Sequence, residues 1–281
     1  MRLIIYSKAL YSTWIYYSPD RILFDAGEGV SPILGNKSFA IRHVFLSHGH
    51  ADHISGILGL INIRNNAMGD TEKPLTIYFP EGNWRISELI NYLWRTNRHL
   101  KYRLEWRPLR PGDRVEVFSG KQPRYVEAFK TVHARDEISL GYNVVEVRER
   151  LKEEYRDLPQ EEIVALVRAG KRDEIIEKYH KKLFSYGGDS IPLDPESVRG
   201  TDVLCHDVTF LDEHDRKEYK HATLEEAIKV AQEAGVEEEL IGVHISSRYK
   251  ATLRKVEQEL ERRGLPFKVS LIPPGKVVTR N

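Results

Sequence analysis

A single cysteine, two methionines and no uninterrupted apolar stretch of membrane-spanning length mark this 281-residue sequence. The lone thiol, Cys205, leaves no disulfide framework, which points to a reducing, cytoplasmic setting. The longest weakly charged run, Val44–Ile63, contains His48, His50, Asp52 and His53. That content is too costly for hydrocarbon, so no membrane segment is expected. Arg2 and Lys8 interrupt the apolar character of the first seventeen residues and no small-residue cleavage pattern follows, so no secretory signal is expected either. An excess of one charge is lacking too: 43 Lys and Arg stand against 42 Asp and Glu. Any anionic partner must therefore be held by local features rather than by a global field. What remains, 41% hydrophobic and 30% charged residues, is globular composition, enough for one domain over residues 1–281.

Short β-rich runs occur at Arg21–Phe24, His43–Leu46, Leu75–Phe79, Arg114–Val117, Tyr125–Phe129, Tyr142–Val147, Asp202–Cys205, Leu240–Val243 and Phe267–Ile272. Helical spacing of apolar residues falls between and after them, at Trp84–Trp94, Glu161–Ala169, Ile175–Leu183, Leu224–Ala234 and Ala251–Arg263. Thr223 with Glu226 forms a capping box and Gly235 supplies a left-handed stop, which bounds the fourth helix at both ends. Strands dominate both halves, so an α/β (α+β) chain of two packed sheets covered by helices fits better than one doubly wound sheet. Residues 148–182 stand apart, with ten basic against nine acidic residues. They read either as a solvated helical hairpin or as a substrate-gripping insertion.

The chemistry concentrates in His48-Gly49-His50-Ala51-Asp52-His53, directly after a β run. Extended chain sends 48 and 50 the same way while 52 and 53 enter the next turn. Two adjacent metals suit that geometry: His48 and His50 on one ion, Asp52 and His53 on a second, a nitrogen and oxygen mixture that zinc accepts. Further ligands are offered at turns after β runs by His133, Asp189 and His244. Taken singly, each also fits a structural role. Together they complete a set in which His133 joins the first ion, His244 joins the second and the Asp189 carboxylate bridges both. Cys205, in an apolar strand, reads as packing.

These residues carry a resemblance to the metallo-β-lactamase fold superfamily and, within it, to the ribonuclease Z family of transfer-RNA 3′-end-processing endonucleases. Beside the His48–His53 run, the markers are Asp25-Ala26-Gly27-Glu28-Gly29, Lys73-Pro74-Leu75-Thr76-Ile77-Tyr78, His133 with Leu140-Gly141-Tyr142, and Gly187-Gly188-Asp189-Ser190. His221-Ala222-Thr223 and His244-Ile245-Ser246-Ser247-Arg248-Tyr249 are the narrower ones. The resemblance implies an αββα sandwich, two Zn²⁺ per subunit, a homodimer, precursor tRNA as partner, and residues 148–182 as an inserted helical arm that grips it. His221, outside the ligand set, is the candidate general acid, with Asp207 orienting it and Asp52 acting at the reacting centre as well as on the metal. Arg248 is assigned to a substrate phosphate, or alternatively to a surface ion pair. Three departures from the family pattern stand out: Lys8–Trp14 replaces a loop with a Pro…Arg-Asn signature, His206-Asp207-Val208-Thr209-Phe210 carries Asp where many members have Glu, and the arm lacks a Gly-Pro-rich tip. The nearest rival function is a same-fold hydrolase of a small phosphodiester, lactone or thioester; a third is an RNA-binding relative without metals.

Overall fold

The computed structural model describes residues 2–68 and 71–280. The first strands are β1 (Leu3–Lys8), β2 (Ser12–Tyr17), β3 (Ile22–Phe24), β4 (His43–Phe45), β5 (Leu75–Pro80) and β6 (Leu104–Leu109). They are followed by β7 (Arg114–Phe118), β8 (Arg124–Lys130), β9 (Leu140–Leu151), β10 (Ile176–Tyr186), β11 (Val203–Asp207), β12 (Glu239–Val243), β13 (Lys268–Leu271) and β14 (Val277–Arg280). Two seven-stranded sheets result, ordered β14-β1-β2-β3-β4-β5-β6 and β13-β12-β11-β10-β9-β8-β7. Strands β3 to β6 run parallel, as do β10 to β13.

Alternation along the strands decides the layers. Leu3, Ile5, Ile15 and Tyr17 face Val126, Tyr142, Phe184 and Cys205 of the other sheet, while Ile4, Trp14 and Tyr16 turn outward. The outward face of the first sheet is covered by α1 (Val30–Leu34), α2 (Ala51–Ile54), α3 (Ile57–Met68) and α4 (Trp84–Thr96). After α5 (Gln160–Arg168) and α6 (Arg172–Ile175), which lie within residues 148–182, α7 (Leu224–Ala234) and α8 (Leu253–Arg262) cover the second sheet. This is the expected αββα order. Strands buried on both faces read as continuous apolar runs, which is why β11, with all five residues buried, was visible as one.

Between the sheets, Phe24 lies 5.5–6.1 Å, centroid to centroid, from Phe45, Tyr142, Phe184 and Tyr186. Such aromatic packing joins the layers beneath the site. Phe24→Ala is expected to cost about 3–5 kcal/mol by leaving a cavity, measured as a lower urea midpoint at unchanged slope.

Residues 148–182 differ from the helical hairpin that their sequence suggests. Ile175–Leu183 is not a helix: β10 runs from Ile176 and pairs antiparallel with β9, from Ile176↔Leu151 to Tyr186↔Tyr142. Cross-strand pairing of Arg150 with Glu177 and stacking of Arg150 on Tyr179 favour the ladder over local helical spacing. Residues 148–182 thus form a two-stranded ribbon carrying α5 and α6 at its tip. Strands β1, β2, β6 and β14 and helices α1 and α3 were not singled out from the sequence.

Candidate active site

Every loop that builds the site leaves the carboxyl end of a strand: Asp25 after β3, His48–His53 after β4, His133 after β8, Asp189 after β10, Asp207 at the end of β11 and His244 after β12. Crevices outside the carboxyl ends of parallel strands are where open α/β sheets collect ligands. Two of these residues, Asp25 (φ 54°) and His244 (φ 59°), hold left-handed backbone conformations, a strain concentrated where function needs an aimed side chain. Gly27 is required by close approach, since a Cβ there would lie 2.3 Å from the Asp52 carbonyl oxygen.

Two donor groups converge. In the first, His48 Nε2 lies 3.0 Å and His133 Nε2 3.1 Å from His50 Nδ1. In the second, Asp52, His53, Asp189 and His244 place ligand atoms within 4.8 Å of one another. Asp189 faces both: its Oδ2 is 3.1 Å from His244 Nε2 and 4.0 Å from His48 Nε2, and its Oδ1 is 3.2 Å from His53 Nε2. All seven residues proposed as ligands from sequence therefore meet in one place.

The outward hydrogen bonds set which ring nitrogens face inward with a lone pair. The Lys220 carbonyl, 3.0 Å from His133 Nδ1, only accepts, so the proton sits on Nδ1 and Nε2 is free. His53 Nδ1 likewise donates to Asp25 Oδ2 at 2.7 Å. Ser47 Oγ gives its proton to Asp25 and accepts from His48 Nδ1 at 2.9 Å. Thr209 Oγ1 gives its proton to Asp207 and accepts from His244 Nδ1 at 2.9 Å. In the neutral form of each ring the four Nε2 atoms are the lone-pair nitrogens turned inward, and the buried one of His53 has the Asp189 carboxylate beside it, 3.2 Å away. Burial holds His48, His50 and His133 below the ordinary imidazole pKa, keeping them neutral. Burial penalises the Asp189 carboxylate, but His244 and His53 outweigh it and hold its pKa well below the usual range. Burial acts to lower the His53 pKa, but the Asp189 and Asp25 carboxylates outweigh it and hold it well above the ordinary imidazole value, so a cation taking its Nε2 would displace a proton. Imidazole nitrogens converging on ionised carboxylates are the donor set a pair of divalent cations fits.

A third convergence joins Asp189, Asp207, His221 and His244. Asp207, fully buried, already accepts from Ser190 N, Thr209 N, Thr209 Oγ1 and His221 Nδ1. Four bonds occupy its carboxylate and leave it no role as a metal ligand. His221 Nδ1 donates to it at 2.6 Å, and the ring stacks on His244 at 5.0 Å and meets His133 edge-on at 4.8 Å. Burial alone would lower the His221 pKa; the Asp207 carboxylate overcomes that and raises it to about 9. Arg248, half-exposed, forms an ion pair with Asp215, its Nη1 3.2 Å from Asp215 Oδ1, and touches none of these donors.

Sequence reasoning gave Asp25, Ser47 and Thr209 no role. Asp25 accepts from Ser47 N, Ser47 Oγ, His53 Nδ1 and Tyr186 OH, all within 2.7 Å, and so anchors the ligand loop to the core. The available signals were its place in the Asp25-Ala26-Gly27-Glu28-Gly29 marker and a carboxylate directly ending an apolar run at Phe24.

An αββα sandwich with such a site defines a metallo-hydrolase architecture, and residues 20–245 match the β-lactamase superfamily domain, to which the chain belongs. It is 36% identical to the ribonuclease Z of Methanosarcina mazei, over 81% of this chain and 79% of that protein. With the ribonuclease Z of Saccharolobus solfataricus identity is 30%, over 90% and 86%. The chain therefore belongs to the ribonuclease Z family, endoribonucleases of the metallo-β-lactamase fold. Among solved structures, the short form of human tRNase Z superposes with a TM-score of 0.63 at 21% identity, covering 99% of this chain and 98% of that one. The metallo-β-lactamase-fold protein YhfI from Bacillus subtilis gives 0.62 at 16%, covering all of both chains. At those identities the likeness concerns the fold. Among the described residues no helix is long and apolar enough to cross a membrane.

Proposed function

We propose that this enzyme uses two zinc ions per subunit to cut the 3′ trailer from precursor tRNA in the cytoplasm, leaving a 3′-hydroxyl. The observation that carries the reading is the pair of donor groups sharing Asp189, with a histidine outside both, in a chain of the ribonuclease Z family. His48, His50 and His133 would hold one ion, Asp52, His53 and His244 the other, with Asp189 between them. Bound there, the ions supply charge neutralisation at the phosphate and a water whose pKa falls to about 7.

The rest is work for side chains. His221 carries the proton that the departing 3′ oxygen needs, and Asp207 holds the ring by its Nδ1 and stabilises the imidazolium without taking the proton itself. Asp52, 15% exposed at its side chain, is the carboxylate of the second group nearest solvent, where it can also touch the reacting centre. Arg248, half-exposed beside Asp215, would exchange that carboxylate for a phosphate.

The arm supplies the grip. Arg150 on the stem and Arg172 at the start of α6 are tied to Glu177 and Glu149 respectively. Toward the tip, Lys152, Arg156, Arg168 and Lys171 form no ion pair among the described residues, and neither do Glu153, Glu154, Asp157, Glu161, Glu162, Asp173 and Glu174, so a grip on RNA phosphates would come from the spacing of these cations and not from a net positive charge. A homodimer, with the arm of one subunit serving the site of the other, belongs to the same proposal.

The test is a 3′-extended tRNA incubated with and without chelator, reading the product ends. A single cut at the tRNA 3′ side that chelator abolishes is expected; cleavage of small phosphodiesters with no cut in the precursor overturns the reading. Replacing residues 153–174 by a short turn is expected to raise KM for the precursor by about tenfold or more and flatten its salt dependence, while bis(p-nitrophenyl) phosphate hydrolysis stays unchanged.

A further inference from the structure

Of the three rings in the first donor group, His50 is the least secured. His48 and His133 each have a hydrogen bond on the outward nitrogen, whereas His50 Nε2 has only the Glu137 carboxylate 3.9 Å away, and its side chain is 31% exposed. What fixes His50 is the backbone beside it. Gly49 N donates to Glu137 Oε1 at 2.7 Å, and that glycine has no room for a side chain, since a Cβ would lie 2.5 Å from Asn83 Oδ1 and 2.7 Å from Arg85 Cβ.

The Glu137 side chain is 1% exposed and its carboxylate is fully engaged. Asn83 Nδ2 donates to Oε1 and Arg85 Nη1 to Oε2, while Arg85 Nη2 reaches Asp136 at 3.0 Å. Asn83 in turn caps α4 by accepting from Ile86 N, and its Nδ2 also donates to the Ile138 carbonyl at 2.9 Å. Glu137 lies on the segment that joins His133 to β9. One carboxylate therefore ties together the loop carrying His48 and His50, the loop that begins at His133, and the start of α4.

The geometry points to Glu137 as a positioning residue for the cation held by His48, His50 and His133, acting on that cation alone. This rests on the proposed reading that the site binds two cations. The second donor group depends on different anchors: Asp25 behind His53 and the Thr209–Asp207 pair behind His244. Partners of this kind behind a ligand are typically worth about 10–100-fold in metal affinity.

The experiment is Zn²⁺ binding by the full-length chain, with content measured after dialysis and affinities by competition against a chromophoric chelator. Wild type is expected to bind two ions. Glu137→Ala is expected to keep one at wild-type affinity and bind the other about 10–100-fold more weakly. Glu137→Gln, which retains an amide oxygen for Gly49 and Asn83, is expected to show a smaller loss at the same single site, and it decides the matter should the alanine variant fail to fold. Equal weakening of both ions, or of neither, overturns the assignment; a wild-type chain that binds no Zn²⁺ overturns it together with the function proposed above.

Discussion

Asp189→Ala is expected to reduce bound zinc from two ions toward none and to lower precursor cleavage by about a thousandfold or more. Among the described residues Asp189 is the side chain that faces both donor groups, with oxygens 3.1 Å from His244, 3.2 Å from His53 and 4.0 Å from His48. It is buried at the end of β10, behind a Gly188 in the left-handed region (φ 63°) whose Cβ would meet Ser47 Cβ at 2.6 Å. Each ion contributes several kcal/mol of charge stabilisation in the transition state, so about 4 kcal/mol lost corresponds to roughly a thousandfold. Metal analysis beside single-turnover cleavage checks both halves. Retention of two ions at wild-type affinity would remove Asp189 from the ligand set.

How much of this was legible in the sequence follows physical lines. The His48–His53 run could be read because its meaning is local: six residues after a strand, with side-chain directions fixed by extended chain and one turn. His133, Asp189 and His244 could be read as polar residues where apolar runs stop. Asp25 could not be given a role, because its partners lie at Ser47, His53 and Tyr186, and only the fold brings residues so separated together. β10 failed for another reason: in its outer half both faces meet solvent, so no period-two apolar alternation betrays a strand. There Ile175, Ile176 and Tyr179 mimic helical spacing, and the ladder with β9 decides.

His221→Ala is expected to lower kcat for the precursor by about 10²–10⁴-fold with both zinc ions retained. The ring belongs to neither donor group of the proposed pair; its Nδ1 is spent on Asp207, and Asp207, with four hydrogen bonds, cannot itself bind a cation. A proton donor to the 3′ oxygen must be charged before the step, so the rate should fall as pH rises through the imidazolium pKa. Burial acts to lower that pKa and the Asp207 carboxylate acts to raise it, the second prevailing. Asp207→Asn removes the raising partner, and the descending limb of the kcat profile should move to lower pH while KM changes little. A substrate with an activated leaving group, such as bis(p-nitrophenyl) phosphate, needs no proton and should lose far less in His221→Ala than the precursor does. Loss of half the zinc or more in that variant would make His221 a ligand instead, and the third convergence of Asp189, His221 and His244 would then be the place where the second ion sits.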